Sequence, residues 1–293
     1  MFEKLENCPI CRYHEFKNYI ICKDHMVTGE SFAITRCEQC GFLFTNPRPT
    51  NDILTKYYAS ENYISHNNKM KSPVDIAYNI IRKYTLNKKL KLINSLSTKK
   101  RLLDFGCGSG AFLKTCQKNG WKIDGVEMVD SAQKNAETIL DLPLYSKVSE
   151  ITTNNKYKII TLWHVLEHVY DLNKTFHELV KLLDKKGKII IAVPNIESLD
   201  AALYHEFWAA YDIPRHQYHF SQSTMKLFLN NHKLKLKQII PMPFDAYYVS
   251  MLSEKYQFDK TNYLKAILNG YKSNSYAKLH NNNYSSLIYI AGK

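Results

Sequence analysis

The chain has 293 residues, of which 45% are hydrophobic and 23% are charged, values that are ordinary for a globular protein. This composition excludes a collagen-like, a largely disordered or a membrane-bundle protein, because apolar runs such as Ile189 to Val193 fall far short of the ~20 residues of a spanning helix. The net charge of +13 resides at the two ends: residues 1–100 carry 16 Lys and Arg against 9 acids, residues 201–293 carry 11 against 5, and the middle is neutral.

The N-terminal sequence MFEKLENCPI has no apolar core of the kind that a signal peptide requires, which predicts a cytoplasmic protein. The basic ends permit an RNA or another anionic partner, but lysines that fill solvated faces explain the same charge. We therefore expect a nucleic-acid partner to be possible but not favoured, and we expect no membrane partner. The oligomeric state stays open.

Four of the seven cysteines form two Cys-x-x-Cys pairs that are separated by 25 residues, namely Cys8, Cys11, Cys37 and Cys40. Two such turns close a four-sulfur shell, which zinc prefers, and Thr28-Gly29 provides a turn for the hairpin between them. Disulfides or buried thiols are the alternative, and without a secretory signal disulfides are disfavoured. A closed four-thiolate site leaves no position for water, so the sequence predicts a structural zinc ion.

A short apolar strand, Arg101 to Phe105, leads into a glycine-rich turn and then a helix from Ala111 to Lys118. Strand, glycine turn and helix form the opening unit of a Rossmann-like fold. The turn contains Gly106, Gly108 and Gly110. These glycines allow the backbone to approach a ligand closely at the helix N-terminus.

Two acids flank this turn, and they decide which cofactor it suits. Asp104 stands two residues before the first glycine, and Glu127 ends the next strand, where a carboxylate can accept from both hydroxyls of a ribose. The spacing of Gly106, Gly108 and Ala111 also satisfies an NAD fingerprint, so a dehydrogenase stays open on the glycines alone. The two carboxylates favour a cofactor with a cationic ammonium over one with a pyrophosphate.

With these residues in place, the chain resembles the class I S-adenosylmethionine-dependent methyltransferases. Their motif I is similar to LLDFGCGSGAFL, and their ribose-binding strand end is similar to GVEMVD. Their fourth strand is similar to KYKIITLWHVLEHV, and their fifth to LLDKKGKIIIAVPN. The N-terminal module resembles that of a bacterial subgroup in which a four-cysteine module and an NPRP segment precede the methyltransferase core.

The resemblance implies an α/β fold with a Rossmann-like seven-stranded sheet behind an N-terminal zinc-ribbon module. It implies a zinc module and arm in residues 1–50, a helical linker region in 51–97 and a methyltransferase domain in 98–293. Residues 251–283, which are polar and rich in Tyr and Asn, are predicted to hold one short helix around Tyr263 to Leu268. We expect them to be an insertion that covers the site or makes a dimer contact. The last segment, Ser285 to Lys293, resembles the antiparallel final strand.

By the same resemblance the cofactor is S-adenosylmethionine. Asp104 would face the methionine amino group, the three glycines would surround the methionine portion, Glu127 would hold the ribose and Met128 would pack against the adenine. His164, at the end of the fourth strand, is a further candidate cofactor contact.

The strand that ends at Trp163 is followed by His164-Val165-Leu166-Glu167-His168. This spacing matches a metalloprotease signature that requires a long helix, which a strand exit does not provide. Ubiquinone-pathway and small-RNA methyltransferases, which the region resembles, use Glu-x-x-Glu-His in a magnesium site, and here His164 replaces the first Glu. The alternatives are a pocket lining without metal and a purely structural junction.

A loop after Pro194-Asn195 carries aromatic and basic side chains with no helical or strand period. Loops that follow the strands of such a sheet commonly carry binding groups. We expect a substrate lid in which Arg215, Tyr218 and Trp208 contact the acceptor and His216 is a candidate base. The alternative is that Arg215 and His216 pair internally and brace the loop.

Together these features predict methyl transfer from S-adenosylmethionine to a small-molecule acceptor, such as a sugar, a quinol or another biosynthetic intermediate, with O-methylation slightly favoured. His168 or His216 is the candidate catalytic base, because a histidine pKa near ~6.5 suits proton removal at neutral pH. The alternatives are an RNA or protein methyltransferase that docks through its basic ends and zinc module, and a cofactor-binding module without catalysis.

Overall fold

The computed structural model describes residues 1–58, 73–152 and 156–293. These residues form two compact units that are not contiguous in the chain. The first unit holds residues 1–58, 166–172 and 192–289, and the second holds 73–152, 156–165, 173–191 and 290–293. Within the described residues, no helix combines the length and the hydropathy needed to cross a bilayer.

The N-terminal part of the first unit is built from short antiparallel strands. Strands β1 (Phe2–Glu3) and β5 (Arg48–Pro49) pair with each other, and β2 (Phe16–Lys23), β3 (Ser31–Cys37), β4 (Leu43–Thr45) and β10 (Tyr218–His219) form a sheet in the order β10-β4-β3-β2. A short helix, α1 (Asn51–Leu54), follows β5. The turn between β2 and β3 contains Gly29 at φ 71°, which confirms the predicted Thr28-Gly29 turn.

The second unit contains the parallel strands that the glycine motif predicts. Helix α2 (Pro73–Leu96) precedes β6 (Arg101–Phe105), α3 (Ala111–Lys118), β7 (Lys122–Val126), α4 (Asp130–Leu140) and β8 (Tyr157–Trp163), and α5 (Leu172–Leu182) leads into β9 (Leu183–Pro194). Strand β6 pairs in parallel with both β7 and β8. The core side chains of β6 and β8 are apolar and fully buried, as in a sheet covered on both faces: Leu102, Leu103, Ile159, Ile160 and Leu162.

The remaining elements complete the sheet and add a helical hairpin. They are α6 (Leu199–Tyr204), α7 (Gln222–Asn231), β11 (Lys235–Pro241), α8 (Asp245–Phe258), α9 (Tyr263–Leu279) and β12 (Ser286–Gly292). The sheet runs in the order β11-β12-β9-β8-β6-β7. Asn195 N–H donates to the Ser285 carbonyl, whereas Gly292 lies against Gly187, so β12 is antiparallel to β9.

Two details of the fold differ from the sequence-based expectation. The sheet has six strands in the described residues, and a single parallel bridge between Val126 and Tyr145 occupies the position of a seventh. Pro143 lies just before this bridge and has no N–H to donate, which limits a longer ladder there. Residues 251–283 hold most of α8 and the whole of α9, where the sequence predicted only a short helix from Tyr263 to Leu268.

Candidate active site

The glycine loop after β6 is tightly packed at its start and open at its centre. At Gly106, with φ at 69°, an added Cβ would lie 2.4 Å from Cγ2 of Val165, so a larger residue does not fit. At Gly108, with φ at 54°, an added Cβ would meet no atom of the described residues within 4 Å. The loop therefore leaves room beside Gly108 for a ligand to approach its backbone.

Asp104 is a buried acid at the end of β6, with 2% of its surface exposed. The hydroxyl of Thr161 on β8 donates to its Oδ1 at 2.5 Å. Burial raises the pKa of Asp104 from 3.8 to about 7, and the nearby Glu127 adds to this, against the opposing effects of Thr161 and Lys89. A cationic group bound beside Asp104 would stabilise its charged form, so this position suits an ammonium ligand.

Glu127 follows β7 and is also buried. Its two carboxylate oxygens accept from the backbone N–H of Gly108 at 2.7 Å and of Val129 at 3.0 Å. A carboxylate has about four acceptor positions, so two remain for the hydroxyls of a ribose. The side chain of Met128, the next residue, is 51% exposed. It is therefore accessible to a base that binds beside it.

Trp163 and His164 lie at the end of β8. His164 has φ at 54°, in the left-handed region that few residues other than glycine adopt. The indole of Trp163 contacts Phe112 edge-on, and its buried Nε1 has no hydrogen-bond acceptor among the residues that the structure describes. Trp163 and Thr161 were not predicted as site residues, because buried strand positions give the same sequence signal whether or not they face a ligand.

A cluster of one carboxylate and two imidazoles lies in the first unit and consists of Glu167, His168 and His216. Each offers one ligand atom, and these atoms all lie within 4.8 Å of one another. The rings of His168 and His216 meet edge-on with centroids 4.4 Å apart. The sequence placed Glu167 and His168 together but gave no reason to join them to His216, which is 48 positions further along the chain.

The two histidines of the cluster differ in their partners. Nδ1 of His168 lies 3.1 Å from the hydroxyl of Tyr58, and burial together with His216 lowers the pKa of His168 to about 4. His168 is therefore neutral at pH 7. Nδ1 of His216 lies 2.8 Å from the carbonyl of Ala210, which can only accept, so the neutral ring carries its lone pair at Nε2.

The resemblance suggests a magnesium site of His164, Glu167 and His168, whereas the group whose ligand atoms lie together is Glu167, His168 and His216. Magnesium prefers oxygen ligands, whereas this group offers two nitrogens and a single carboxylate. Such a donor set suits transition ions better. The donor set therefore gives no support to a magnesium-dependent step.

The structure places Arg215 inside the protein, where its guanidinium is 1% exposed. It donates to Asp24 at 3.0 Å, to Asp212 at 2.6 and 2.9 Å, and to the carbonyl of Tyr57 at 2.9 Å. The two carboxylates raise the pKa of Arg215 further above its ordinary value. Arg215 is thus paired inside the protein, with carboxylates and a carbonyl as partners and not with His216 as the bracing alternative supposed. This geometry favours a structural role over contact with an acceptor.

Trp208 and Tyr218, the other predicted substrate contacts, are also buried and bonded within the protein. Nε1 of Trp208 donates to Asp200 at 2.8 Å. The hydroxyl of Tyr218 accepts from Arg48 at 2.8 Å and donates to the carbonyl of Tyr170 at 2.9 Å. Because their polar atoms are already paired, the geometry favours a structural role for both residues.

The four predicted zinc ligands lie together. Sγ of Cys8 is 3.6 Å from that of Cys40, and Sγ of Cys11 is 3.5 Å from that of Cys37. Around zinc with Zn–S bonds of ~2.3 Å, tetrahedral sulfurs lie ~3.8 Å apart, so the spacing fits the ion.

The parallel sheet, the glycine loop and the flanking acids define a methyltransferase type of α/β domain. A family model described as "Methyltransferase domain" matches residues 78–239, which is more than half of the chain. The chain therefore belongs to this family, which confirms the class of protein that the sequence motifs predicted.

Two curated relatives and one solved structure give the likeness in detail. The chain is 24% identical over 174 residues to a ubiquinone biosynthesis O-methyltransferase of Rickettsia conorii, covering 53% of this chain and 57% of that protein. It is 31% identical over 119 residues to the protein of the same name from Coxiella burnetii, covering 38% and 50%. The chain thus spans about half the length of the curated relatives it matches.

The structure of magnesium protoporphyrin IX methyltransferase from Synechocystis PCC 6803, with bound S-adenosylhomocysteine, is similar with a TM-score of 0.54 at 12% identity. The match covers 83% of this chain and 99% of that one. At this identity the likeness shows the fold alone, and it agrees with the predicted class I methyltransferase architecture.

Proposed function

We propose that the protein is an S-adenosylmethionine-dependent methyltransferase that acts on a small hydroxyl-bearing molecule. The observation that carries the proposal is the pair of buried acids, Asp104 and Glu127, on either side of a glycine loop that is open at Gly108. A cofactor with an ammonium group and a ribose matches this pair, whereas NAD has a ribose for Glu127 but no ammonium for Asp104, whose charge would repel its pyrophosphate.

Each residue of the loop has a role in this proposal. Asp104 binds the methionine ammonium, Gly106 and Gly110 shape the turn, and the backbone at Gly108 approaches the methionine portion. Glu127 accepts from the ribose hydroxyls while its bonds to the loop N–H groups hold it in place. Two further contacts belong to the proposal: Met128 packs on the adenine, and His164 adds to the cofactor pocket.

S-adenosylmethionine supplies an electrophilic methyl group for an in-line displacement, and the protein supplies alignment and, for a hydroxyl acceptor, a base. We assign the base to the histidine cluster. Burial lowers the pKa of His168 to about 4, which makes this residue a weak base at neutral pH. Nδ1 of His216 faces the carbonyl of Ala210, which leaves Nε2 for the proton of the acceptor, so within the cluster we assign proton removal to His216.

The acceptor class rests on the names of the relatives and on the chemistry of the cluster. Both curated relatives are named ubiquinone biosynthesis O-methyltransferases, which supports a quinol-like or other metabolite hydroxyl. An imidazole beside a carboxylate suits proton removal from such a group. For the cysteine module we propose a structural zinc ion held by Cys8, Cys11, Cys37 and Cys40.

The test is transfer of a tritium-labelled methyl group from S-adenosylmethionine into an extract of the source cell. Products are separated by size and by sensitivity to nuclease and protease. We expect label in the small, nuclease-resistant fraction. Asp104→Asn should lose the label, whereas Asp130→Asn, which changes an exposed acid of α4, should keep it. Cofactor binding without any labelled product would favour the non-catalytic alternative.

A second candidate function, RNA methylation, has one observation in its favour. A cleft of about 700 Å³ at the amino ends of the strands in the second unit is lined by six cations: Lys99, Lys100, Arg101, Lys122, Lys156 and Lys158. Two of them are paired with acids, Arg101 with Asp124 and Lys158 with Asp184. Label in a nuclease-sensitive fraction, together with RNA binding that weakens steeply with salt, would favour this candidate over the metabolite.

A further inference from the structure

Helix α9 has two faces of different composition. The face that packs within the first unit consists of small residues, namely Ala266, Gly270, Ser273 and Ala277, all buried. At Gly270 an added Cβ would lie 2.6 Å from the ring of Tyr247 on α8, so the two helices approach each other closely. The large apolar residues of α9 are therefore left for the other face.

These large residues are strongly exposed and follow helical spacing. They lie at positions i, i+3, i+4 and i+7, with exposed fractions of 77% for Leu264, 52% for Ile267, 57% for Leu268 and 62% for Tyr271. Side chains at this spacing form one continuous stripe along a helix. We call these four residues the exposed apolar face. Phe258 and Tyr263, at 53% and 54% exposed, extend it at the turn between α8 and α9.

Lysines surround the exposed apolar face. Residues 255–279 contain five lysines and one acid, Asp259. All five lysines are exposed. Lys265 pairs with the buried Glu254 at 3.1 Å, and the other four are Lys255, Lys260, Lys272 and Lys278. By helical geometry Lys272 and Lys265 lie to one side of the apolar stripe and Lys278 continues along it.

Buried hydrogen bonds fix the orientation of this helix. Ser273 on α9 donates to Asp200 at 2.6 Å, and Asn269 donates to the hydroxyl of Tyr204 at 2.9 Å. The same hydroxyl donates to Glu254 on α8 at 3.1 Å. Because these bonds hold the polar side inward, rotation of α9 to hide its apolar face would leave buried polar groups without partners.

We propose that the α8–α9 hairpin binds the surface of a bilayer that contains anionic lipids. Apolar residues with tyrosines at the boundary and lysines beside them form the pattern of helices that lie in a membrane interface. The excess of lysines selects an anionic partner by charge complementarity. A second copy of the chain would bring the same lysines toward each other. This proposal replaces the expectation of no membrane partner, and it is independent of the proposed function.

The test is co-sedimentation of the full-length protein with vesicles of phosphatidylcholine mixed with phosphatidylglycerol, compared with phosphatidylcholine alone. We expect binding to the anionic vesicles that weakens with salt. The double variant Ile267→Ser/Leu268→Ser should bind more than tenfold less, since each side chain is worth about tenfold or more on burial. Lys272→Glu should reduce binding at least about fivefold.

Matched controls separate this effect from loss of folding. Ile21 is 62% exposed on β2, and Ile21→Ser should leave vesicle binding unchanged, as should Lys226→Glu on α7. The thermal unfolding midpoint, measured on every variant, reports on folding and should not change. No binding of the wild-type protein to anionic vesicles overturns the proposal.

Two further outcomes also overturn it. If the exposed apolar face covers a second copy, the wild-type protein is a dimer by light scattering and Ile267→Ser/Leu268→Ser makes it a monomer. If Lys272→Glu and Ile267→Ser/Leu268→Ser bind vesicles as well as the wild type does, the hairpin is not the contact surface.

Discussion

Asp104 is an acid whose ordinary charge the folded chain does not stabilise. Its pKa of about 7 in the folded protein, against 3.8, means that the folded state keeps a proton which the unfolded state loses across that interval. The contribution of Asp104 to stability therefore falls as pH rises from about 4 to about 7. A bound cation that stabilises the carboxylate reverses this loss.

We predict that S-adenosylmethionine binds more tightly at about pH 8 than at about pH 6, because only the ionised Asp104 attracts the ammonium. Binding near pH 7 should release protons. Titration calorimetry in buffers of different ionisation enthalpy measures both quantities. Asp104→Asn should lower the affinity ~10-fold or more and remove the pH dependence. A wild-type affinity that is flat over this range would contradict the prediction.

A second prediction concerns Arg215, for which the sequence left contact with the acceptor and internal bracing open. Arg215→Met leaves Asp24 and Asp212 buried without their cation, which should cost ~3–5 kcal/mol of stability. The thermal unfolding midpoint reports this loss, and Arg36→Met, at an exposed position of β3, is the control. A variant that keeps its stability but has a raised KM for the acceptor would restore the substrate role.

The sequence predicts the role of a residue best when that residue belongs to a motif with fixed spacing. Asp104, Glu127 and the glycines follow from spacing along the chain, and the structure places them around one loop. Arg215 and Tyr218 lie in a segment whose sequence is typical of a polar loop. Such a sequence does not distinguish a residue that contacts a ligand from a buried residue that stabilises the loop. Only the distant partners, Asp24 and Arg48, distinguish the two roles.

The strand–loop–helix element around β6 leads to a prediction that separates folding from binding. In Gly106→Ala the new Cβ would collide with Val165 at 2.4 Å, so both stability and cofactor affinity should fall. In Gly108→Ala the Cβ meets open space, so the loss of stability should be limited to ~1–2 kcal/mol of backbone strain. Cofactor affinity should fall, because the methyl group occupies the space in which the cofactor is proposed to bind.

Unfolding midpoints and S-adenosylmethionine affinities of both glycine variants check this contrast. Val165→Ala, combined with Gly106→Ala, should recover part of the stability because it removes the colliding methyl groups. If Gly108→Ala binds the cofactor as the wild type does, the open side of the loop is not the binding side.

Elements were predictable where large apolar residues face the core. Strands β6 and β8 and helix α3 lie within two residues of their expected bounds, since their apolar positions are the buried ones. The length of helix α9 was underestimated because small residues, mainly Ala, Gly and Ser, form its buried face. A search for apolar periodicity does not recognise such small residues as core positions.

For the molecule as a whole we predict that zinc holds the N-terminal module together. Native mass spectrometry should find zinc in the wild type and lose it in Cys11→Ser. Unfolding should occur at a lower temperature in that variant and after treatment with a chelator, because the binding energy of a structural zinc is folding energy. Cys22→Ala, a buried thiol outside the cluster, should keep the zinc. The prediction is contradicted if the wild-type protein contains no zinc and a chelator does not change its unfolding temperature.

The arrangement of the whole chain was the least predictable level. The sequence suggested successive segments, whereas the first compact unit combines residues from the N-terminal module with residues beyond position 192. Pairings such as β4 with β10 join positions about 170 residues apart and have no local signal. Composition and motifs specify elements, and distant pairings of this kind depend on side-chain complementarity that a single sequence does not display.

The ion pair between Asp24 and Arg215 joins positions 191 residues apart, and this separation sets an order of events during synthesis. Asp24 closes the hairpin turn through bonds to the N–H groups of Met26, Val27 and Thr28, so the turn can form as soon as it leaves the ribosome. Its cation is translated only ~10–40 s later at ordinary rates of elongation. Throughout that interval the carboxylate has to stay hydrated, and the surface around it cannot close. A nascent chain halted before Arg215 should thus display an open N-terminal hairpin to chaperones and proteases.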